Sequence, residues 1–249
     1  MENILNEEEI KTMRRIGKIA GKIMRSLKKF IKAGISTKDI ELFFENVLKE
    51  YSGLEPAFLG YNGYPASLCV SLNEEIVHGI PTEEKRIKEG DLVSVDLGIK
   101  FKNFFVDTAY TYAIGKINSL AKKLIKVGRK ALSEAIKKAR VGFYTGDIGE
   151  TIEKVAKQAG FSVIKSFVGH GIGHKLHCSP EVPNFGKKGE GTLLREGMVI
   201  AIEPMISVGS EDVEVAFDGW TAKTKDGSLS CHFEHTVAIT KRGPVIITA

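Results

Sequence analysis

The chain has 249 residues, of which 43% are hydrophobic and 27% charged, and its formal net charge is +5. These values are ordinary for a globular protein that buries a sizeable core. No apolar run approaches the roughly 20 residues of a membrane helix, and the first residues lack the basic-then-apolar pattern of a signal peptide, so we expect neither.

The first half of the chain is predicted to fold as two helices followed by strands. Apolar residues at helical spacing indicate a helix over residues 7–33, and Thr37 is the predicted N-cap of a second helix that ends near Tyr51. β-Branched and aromatic residues are frequent in the segments that follow. They predict strands at residues 68–72, 75–78, 92–98 and 104–114.

The second half repeats this order of elements. Helical periodicity indicates a long helix over residues 119–140, and Thr145 is the predicted N-cap of another helix that ends near Gln158. Strands are predicted at residues 162–168, 198–203, 213–217 and 233–240.

The helix predicted over residues 119–140 has a one-sided charge. Its outer face carries eight basic residues against the single acidic residue Glu134. A solvated helix face is the simplest explanation, because charge runs on helices usually have that role. The alternative is a docking surface for an anionic partner such as ribosomal RNA.

Two pairs of segments share a pattern across the halves. Residues 33–40 (AGISTKDI) and 141–148 (VGFYTGDI) both contain Gly-x-x-Thr-x-Asp-Ile. Residues 89–96 (EGDLVSVD) and 196–203 (EGMVIAIE) both contain Glu-Gly, an apolar strand and a final carboxylate. A long-period repeat of two copies predicts two similar structural units.

The repeat predicts a single domain over residues 1–249, with halves of about 1–116 and 117–249 packed face to face. Matching strands of the two halves would then meet at the centre. This arrangement would pair Asp96 with Glu203 and Asp107 with Glu234.

These four carboxylates lie in, or directly after, strongly apolar strands that contain no lysine or arginine. A buried and unpaired carboxylate is costly, and four of them on converging strands would repel one another. Alone, each would have an ordinary explanation, such as a turn residue at the end of a strand. Together they indicate bound cations.

A histidine completes the predicted metal site. His170 lies between glycines in the segment GHGIG, and we expect these glycines to let the backbone bend and a metal approach. Four carboxylates and one imidazole favour Mn²⁺, Fe²⁺ or Co²⁺, with Zn²⁺ as a further alternative. Such a set can hold two ions roughly 3.5–4 Å apart, which acidify water toward a pKa of about 7.

At these residues the sequence resembles the type I methionine aminopeptidases over essentially its whole length. The resemblance implies their α+β pita-bread fold, with two pseudo-symmetric helix-helix-strand halves around a curved, mainly antiparallel sheet. The matching segments are residues 60–65 (GYNGYP), 71–74 (SLNE), 78–81 (HGIP), 169–173 (GHGIG), 202–205 (IEPM), 218–221 (DGWT) and 233–236 (FEHT), with Asp96, Asp107 and His177.

The resemblance implies removal of the initiator methionine from nascent chains by water that two metal ions activate. Glu203 would relay a proton from this water, His177 would steady the tetrahedral oxyanion, and His78 would contact the scissile amide nitrogen. The free amine of the substrate would bind at one metal. The implied metal ligands are Asp96, Asp107, His170, Glu203 and Glu234, of which Asp107 and Glu234 would touch both ions.

The resemblance also implies a pocket for the methionine side chain and a site for a monovalent cation. Aromatic faces attract a thioether, which suits such a pocket. The cation would lie near Asn73 and Ser230. The implied pocket residues are Phe58, Tyr61, Tyr64, Cys69 and Trp220.

The sequence departs from the family pattern near His177. His174 stands where a basic residue is expected, and Cys178 and Ser179 stand where an acidic pair is usual. These differences concern the charge around His177 and leave the implied metal ligands intact.

Two other functions share parts of this pattern. Proline-specific pita-bread peptidases resemble the chain in their ligands but carry an extra N-terminal domain. A non-catalytic pita-bread protein that binds RNA or ribosomes should have lost metal ligands. We expect a cytoplasmic location, because three cysteines are an odd number that favours thiols in a reducing compartment. We also expect a monomer.

Overall fold

A computed structural model of the chain describes residues 4–249. These residues form four α-helices, fifteen strands and a short 3₁₀ turn at Tyr61–Gly63. The helices are α1 (Glu7–Phe30), α2 (Thr37–Lys49), α3 (Ser119–Ile136) and α4 (Thr145–Gln158). The strands are β1 (Leu54–Pro56), β2 (Cys69–Leu72), β3 (Glu75–Val77), β4 (Leu92–Phe101), β5 (Phe104–Ala113), β6 (Ser162–Val163), β7 (Gly169–Gly171), β8 (Cys178–Val182), β9 (Val199–Ile202), β10 (Met205–Ser207), β11 (Val213–Val215), β12 (Ala222–Thr224), β13 (Ser230–His232), β14 (His235–Thr240) and β15 (Gly243–Ile246).

The two long helices are shorter than their periodicity predicts. Helix α1 begins at a capping box formed by Asn6 and Glu9, and it ends at Phe30 because Ile31 has extended backbone. The prediction of a helix to residue 33 is therefore wrong. Helix α3 ends at Ile136, four residues before the predicted end, so part of the basic run lies in the following turn. Among the described residues, no helix combines the length and apolar character that a membrane span needs.

The Gly-x-x-Thr-x-Asp-Ile repeat has the same structural role in both halves. In the first copy the N-cap of α2 is Ser36, whose N–H donates to the Asp39 carboxylate at 2.7 Å. The predicted N-cap, Thr37, is the first helical residue instead. Its hydroxyl bonds the backbone of Thr82, accepting from the N–H at 2.8 Å and donating to the carbonyl at 3.0 Å.

The second copy repeats this arrangement at the start of α4. The N–H of Tyr144 donates to the Asp147 carboxylate at 2.8 Å, and Thr145 is again the first helical residue. The Thr145 hydroxyl accepts the N–H of Thr192 at 3.1 Å. Both threonines therefore fasten a distant loop to a helix start, which explains why neither serves as the predicted N-cap.

Every named strand pair is antiparallel, and the helices pack on the sheets, so the predicted α+β class is confirmed. The hydrogen bonds divide the strands into four sheets. Their orders are β1-β4-β2 with β5 on β4, β13-β10-β6, β11-β12-β3 and β15-β14-β9-β7-β8. The predicted segments at 162–168 and 213–217 shorten to β6 and β11. Seven further strands were not predicted: β1, β7, β8, β10, β12, β13 and β15.

Two large apolar clusters fill the interior. The first packs α1 and α2 on β4 and β5, with Phe44 and Leu97 fully buried. The second packs α3 and α4 on β9 and β14, with Ile200 and Phe233 buried. The clusters largely follow the two predicted halves, although Ile247 from the last residues joins the first cluster. The division into halves near residue 116 stays a prediction.

Threonine hydroxyls join the halves where β5 meets the chain around β14. The Thr236 hydroxyl accepts the N–H of Asp107 at 2.9 Å and donates to its carbonyl at 2.8 Å. Thr108 donates to the carbonyl of Glu234 at 2.9 Å, and the Glu234 N–H donates to the carbonyl of Ala109 at 2.9 Å. We call this contact the threonine seam. It holds the backbone of two carboxylate residues, which lie far apart in sequence, next to each other.

Replacement of Thr236 should test the threonine seam. In Thr236→Val the N–H and carbonyl of Asp107 lose their partner in a buried position, so the free energy of unfolding should fall by about 1–3 kcal/mol. Urea denaturation of the metal-free protein would measure this. Thr236→Ser, which keeps the hydroxyl, is the matched control and should lose clearly less. Equal stability of Thr236→Val and the wild type would contradict this role.

Candidate active site

A cavity of about 620 Å³ opens beside the threonine seam. Its walls come from both halves of the chain. All twelve residues that the sequence predicts for the metal, catalytic and side-chain sites line it: Phe58, Tyr61, Tyr64, Cys69, His78, Asp96, Asp107, His170, His177, Glu203, Trp220 and Glu234.

The five predicted metal ligands come together at the floor of this cavity. One ligand atom each from Asp96, Asp107 and Glu234 lies within 4.8 Å of the other two. The same holds for His170, Glu203 and Glu234. The two groups share Glu234. This arrangement fits two neighbouring divalent ions held by a common carboxylate.

Three carboxylate oxygen atoms of this cluster lack hydrogen-bond partners. Asp96 Oδ1, Asp107 Oδ1 and Glu234 Oε1 are buried without a hydrogen-bond partner. Such atoms are rare in folded proteins and need an explanation. Neither lysine nor arginine is among the described residues that line the cavity. Oxygen atoms that lack both donors and basic partners fit divalent cations, which prefer carboxylate ligands of this kind.

Burial and mutual repulsion shift the carboxyl groups toward their protonated forms. Burial, opposed by His232 and reinforced by Glu203, raises the pKa of Asp96 from 3.8 to about 6. Burial raises the pKa of Glu203 from 4.5 to about 8. The pKa values of Asp107 and Glu234 are raised by burial and then by neighbouring carboxylates. Bound cations would reverse these shifts by favouring the ionised forms.

The elements explain how these residues converge. Asp96 and Asp107 lie on β4 and β5, a hairpin in which Asp96 is opposite Ala109 and Asp107 is opposite Gly98. Glu203 follows β9 directly, and Glu234 precedes β14, the neighbour of β9. Four carboxylates thus come from two antiparallel pairs, one in each half.

His170 is held on the short strand β7 between two glycines. A Cβ atom at Gly169 would lie 2.4 Å from the Ala201 carbonyl oxygen, and one at Gly171 would lie 2.2 Å from that of Ser179. The glycines therefore allow close packing of β7 between β8 and β9. His170 lies in a strand, and the β7–β8 register shifts between His170 and Gly171, so the backbone is irregular at the place where the glycines were expected to let it bend. Desolvation lowers the pKa of His170 to about 3, which keeps its imidazole neutral and suited to metal ligation.

His177 and His78 both line the cavity. The His177 Nδ1 atom is 3.0 Å from the Tyr61 hydroxyl, and its ring lies 4.2 Å from that of His170. His78 has a left-handed backbone (φ 60°), which is strained for a residue with a side chain, and its ring meets Phe167 edge-on at 5.3 Å. Such strain concentrates at functional sites. Desolvation lowers the pKa of His78 to about 4, so its imidazole is neutral at pH 7.

The predicted side-chain pocket forms the apolar end of the cavity. Tyr64 and Trp220 meet edge-to-face, with ring centroids 5.2 Å apart, and the Tyr64 hydroxyl donates to the Gly79 carbonyl at 3.0 Å. Phe58 and Cys69 are buried beside them. Cys69 is opposite Asp96 in the β2–β4 register, which places the pocket directly against the carboxylate cluster.

The structure also brings together Asn73 and Ser230. The N–H of Ser230 donates to the Asn73 carbonyl at 2.8 Å, and the Ser230 hydroxyl donates to the Glu75 carbonyl at 2.9 Å. A cation at this place stays a prediction.

His232 is a buried residue beside Glu203 for which the sequence predicts no role. Its Nε2 atom is 3.5 Å from Glu203 Oε2, while His170 Nε2 is 3.6 Å from Glu203 Oε1. The Glu203 carboxylate therefore lies between two imidazoles. The spacing of two residues between His232 and Glu234 could have indicated a shared orientation, because alternate residues of an extended segment face the same way.

Known proteins are similar to this chain over nearly its whole length. Residues 11–241 match metallopeptidase family M24. The chain is 44% identical over 245 residues to a methionine aminopeptidase of Clostridium acetobutylicum, and the match covers 98% of both chains. The crystal structure of methionine aminopeptidase from Thermotoga maritima matches with a TM-score of 0.97 at 44% identity, over 100% of this chain and 99% of that one.

A prolidase from Pyrococcus furiosus is similar at a greater distance. Its TM-score is 0.80 at 25% identity, and the match covers 100% of this chain but 66% of the prolidase.

The metal-free protein should lose stability as the pH rises from about 7 to about 8. In this window folded Glu203, whose pKa is about 8, still releases its proton, whereas the unfolded chain has released it near pH 4. The benefit of this proton is therefore lost as the pH rises. The desolvated His78 and His170, with pKa values of about 4 and about 3, give the opposite slope only below about pH 6.5, where the unfolded histidines take up protons. Urea denaturation in the presence of a chelator would measure the slope.

Addition of Mn²⁺ or Co²⁺ at about pH 8 should restore stability, because the ions bind the folded site. The double variant Asp107→Asn with Glu234→Gln is the control, in which the ion effect should vanish. A metal-free stability that stays constant or rises between pH 7 and pH 8 would show that the Glu203 carboxyl group is ionised without metal.

Proposed function

Because this chain belongs to metallopeptidase family M24 and to its type I methionine aminopeptidases, we propose that its cavity is a dinuclear metal centre for that activity. The enzyme hydrolyses the bond after an N-terminal methionine. The observation that carries the proposal is the pair of ligand groups that share Glu234, with buried oxygen atoms lacking other partners.

The metal would be held by residues of both halves. Asp96 and Asp107 with Glu234 form one ligand group, and His170 and Glu203 with Glu234 form the other. When bound, the ions supply Lewis acidity that acidifies water and polarises a carbonyl group. The oxygen-rich set favours Mn²⁺, Fe²⁺ or Co²⁺ over Zn²⁺.

In the proposed mechanism, side chains of the cavity transfer a proton and orient the substrate. Glu203 lines the open cavity, and its carboxylate accepts the proton of the attacking water and passes it to the leaving amine. The Tyr61 hydroxyl would donate a hydrogen bond to Nδ1 of His177, and the proton on Nε2 would then be donated to the substrate carbonyl oxygen. The neutral imidazole of His78, which also lines the cavity, contacts the scissile nitrogen.

The apolar end of the cavity suits a methionine side chain. Contacts of its thioether with the rings of Tyr64 and Trp220 would contribute about 0.3–1.5 kcal/mol each. Burial of the side chain would add about 1.5–3 kcal/mol. The pocket lies next to the carboxylate cluster, so a bound side chain places the first peptide bond over the metal ligands.

The other two functions have less support. The chain covers 66% of the prolidase from Pyrococcus furiosus at 25% identity, against 98% of the Clostridium acetobutylicum relative at 44%. A non-catalytic role does not account for five metal ligands that converge in one cavity.

The partner and location are also part of the proposal. Lys122, Lys126, Arg129 and Lys130 are exposed on α3 and would dock on ribosomal RNA, where nascent N-termini emerge. Cys69 and Cys231 are buried thiols outside any disulfide, which suits the cytoplasm. A monovalent cation near Asn73 and Ser230 and a monomeric state stay predictions.

Peptide hydrolysis tests the activity. Chelated protein supplied with Mn²⁺, Co²⁺, Fe²⁺ or Zn²⁺ should release free methionine from Met-Ala-Ser, and release should require a free N-terminus. N-acetylated Met-Ala-Ser and Ala-Pro-Ser are the controls. Metal binding without methionine release would show that the specificity is wrong, and the order of rates would rank the metals.

Two substitutions separate metal binding from chemistry. His177→Ala should leave the metal content nearly intact and lower kcat about 100-fold or more, because an oxyanion donor is lost. Asp107→Ala should remove at least one metal ion per chain. Metal analysis and steady-state kinetics measure both effects. Full metal content and full rate in both variants would refute the site assignment.

Charge reversal tests ribosome docking. The variant with Glu at positions 122, 126, 129 and 130 should lose co-sedimentation with ribosomes at low salt, while its rate on Met-Ala-Ser stays unchanged. A matched variant with Glu at the four exposed positions Lys187, Lys188, Lys225 and Lys241, outside α3, is the control. Unchanged co-sedimentation of the α3 variant would exclude this surface.

A further inference from the structure

His232 is a buried imidazole beside Glu203 for which the proposed mechanism has no use. It is 1% exposed, and its Nε2 atom is buried without a hydrogen-bond partner. This atom lies 3.5 Å from Glu203 Oε2. A buried imidazole nitrogen aimed at a metal-site carboxylate is the arrangement of a group that orients a ligand.

The backbone of His232 is fixed from the other half of the chain. Its N–H donates to the Thr111 hydroxyl at 2.9 Å, and the same hydroxyl donates to the His232 carbonyl at 2.9 Å. Thr111 in turn bonds the Ser94 hydroxyl at 2.8 Å. On its other side His232 pairs with Met205 in the β10–β13 register. The backbone that carries the imidazole therefore has a defined position that does not depend on bound metal.

The geometry distinguishes a metal ligand from a positioning residue. Among the described residues, three groups place ligand atoms within 4.8 Å of one another, and none of these groups includes His232. His170, at a similar distance from the other oxygen of Glu203, belongs to two of them. The imidazoles of His170 and His232 thus approach different oxygens of the Glu203 carboxylate, and only that of His170 lies among the other candidate ligand atoms.

We propose that His232 is a positioning residue of the metal centre, whose Nε2–H donates to Glu203 Oε2 and so directs Oε1 toward the ion that His170 ligates. The inference rests on the proposed function. It assigns the two oxygens of Glu203 to different partners, since Oε2 is held by the protein and Oε1 faces the metal. Loss of such a partner typically lowers metal affinity or activity about 10–100-fold.

Three substitutions of His232 test the hydrogen bond. Gln can place an amide N–H near the position of imidazole Nε2, whereas Asn is too short and Leu has no donor. His232→Leu and His232→Asn should lower Co²⁺ affinity about 10–100-fold and change the visible absorption of the Co²⁺ protein. His232→Gln should retain affinity within about threefold. His174→Leu, which removes an imidazole bonded to Glu9 and Asn103 outside the cavity, is the matched control and should bind as the wild type.

Kinetics on Met-Ala-Ser give a second readout. At saturating metal, His232→Asn should lower kcat more than it changes KM, because Glu203 acts on the attacking water while the methionine pocket is untouched. Asn is polar and keeps the test usable if the Leu variant does not fold. Wild-type Co²⁺ affinity and spectrum in His232→Asn, or equal losses in His232→Gln and His232→Asn, would overturn the assignment. Failure of the wild-type chain to bind Co²⁺ would overturn the proposed function as well.

Discussion

Repulsion among four carboxyl groups in one small volume is the constraint on which the rest of this structure depends. Asp96, Asp107, Glu203 and Glu234 converge without a lysine or arginine on the described cavity wall, and three of their oxygens are buried without a partner. In the metal-free chain, protons relieve the repulsion, which the raised pKa values of all four groups express. Bound divalent cations would relieve the repulsion at neutral pH, and they would supply the Lewis acidity of the proposed reaction.

A site of this kind needs a rigid frame, because the groups in it would otherwise move apart. The threonine seam supplies that frame. Thr236 fixes both backbone polar groups of Asp107, Thr108 fixes the carbonyl of Glu234, and Thr111 fixes His232. Each hydroxyl reaches across the boundary between the halves. Stability of the fold and placement of the ligands are thus achieved by the same hydrogen bonds.

The residues around the cluster divide into polar and apolar walls. On the polar side, desolvation lowers the pKa of both His78 and His177, and the Tyr61 hydroxyl lies 3.0 Å from His177 Nδ1. The Tyr64–Trp220 pair and Cys69 close the apolar end. In the proposed function, selectivity for a side chain and attack on its peptide bond would share one strand pair, because the pocket wall includes β2, which pairs with the strand of Asp96.

The sequence by itself determined the helices, the longer strands and the identity of the chemistry. Periodicity over 13 to 24 residues identifies α1 to α4, although not their ends, because local hydrogen bonds of Ser36 and Tyr144 set the caps. Carboxylates in apolar strands indicated cations because the cost of burying charge does not depend on the fold. The shared Gly-x-x-Thr-x-Asp-Ile pattern indicated a repeat, and its threonines and aspartates do have equal roles in both halves.

Only the tertiary structure decided the short strands and the partners across the seam. Strands of three residues such as β7 and β13 carry too few side chains for a period, and distant backbone partners define them. The bonds between Thr236 and Asp107, between Tyr61 and His177, and the approach of His232 to Glu203 join residues that are 129, 116 and 29 positions apart. No local pattern encodes such pairs, because their distances follow from the packing of two halves.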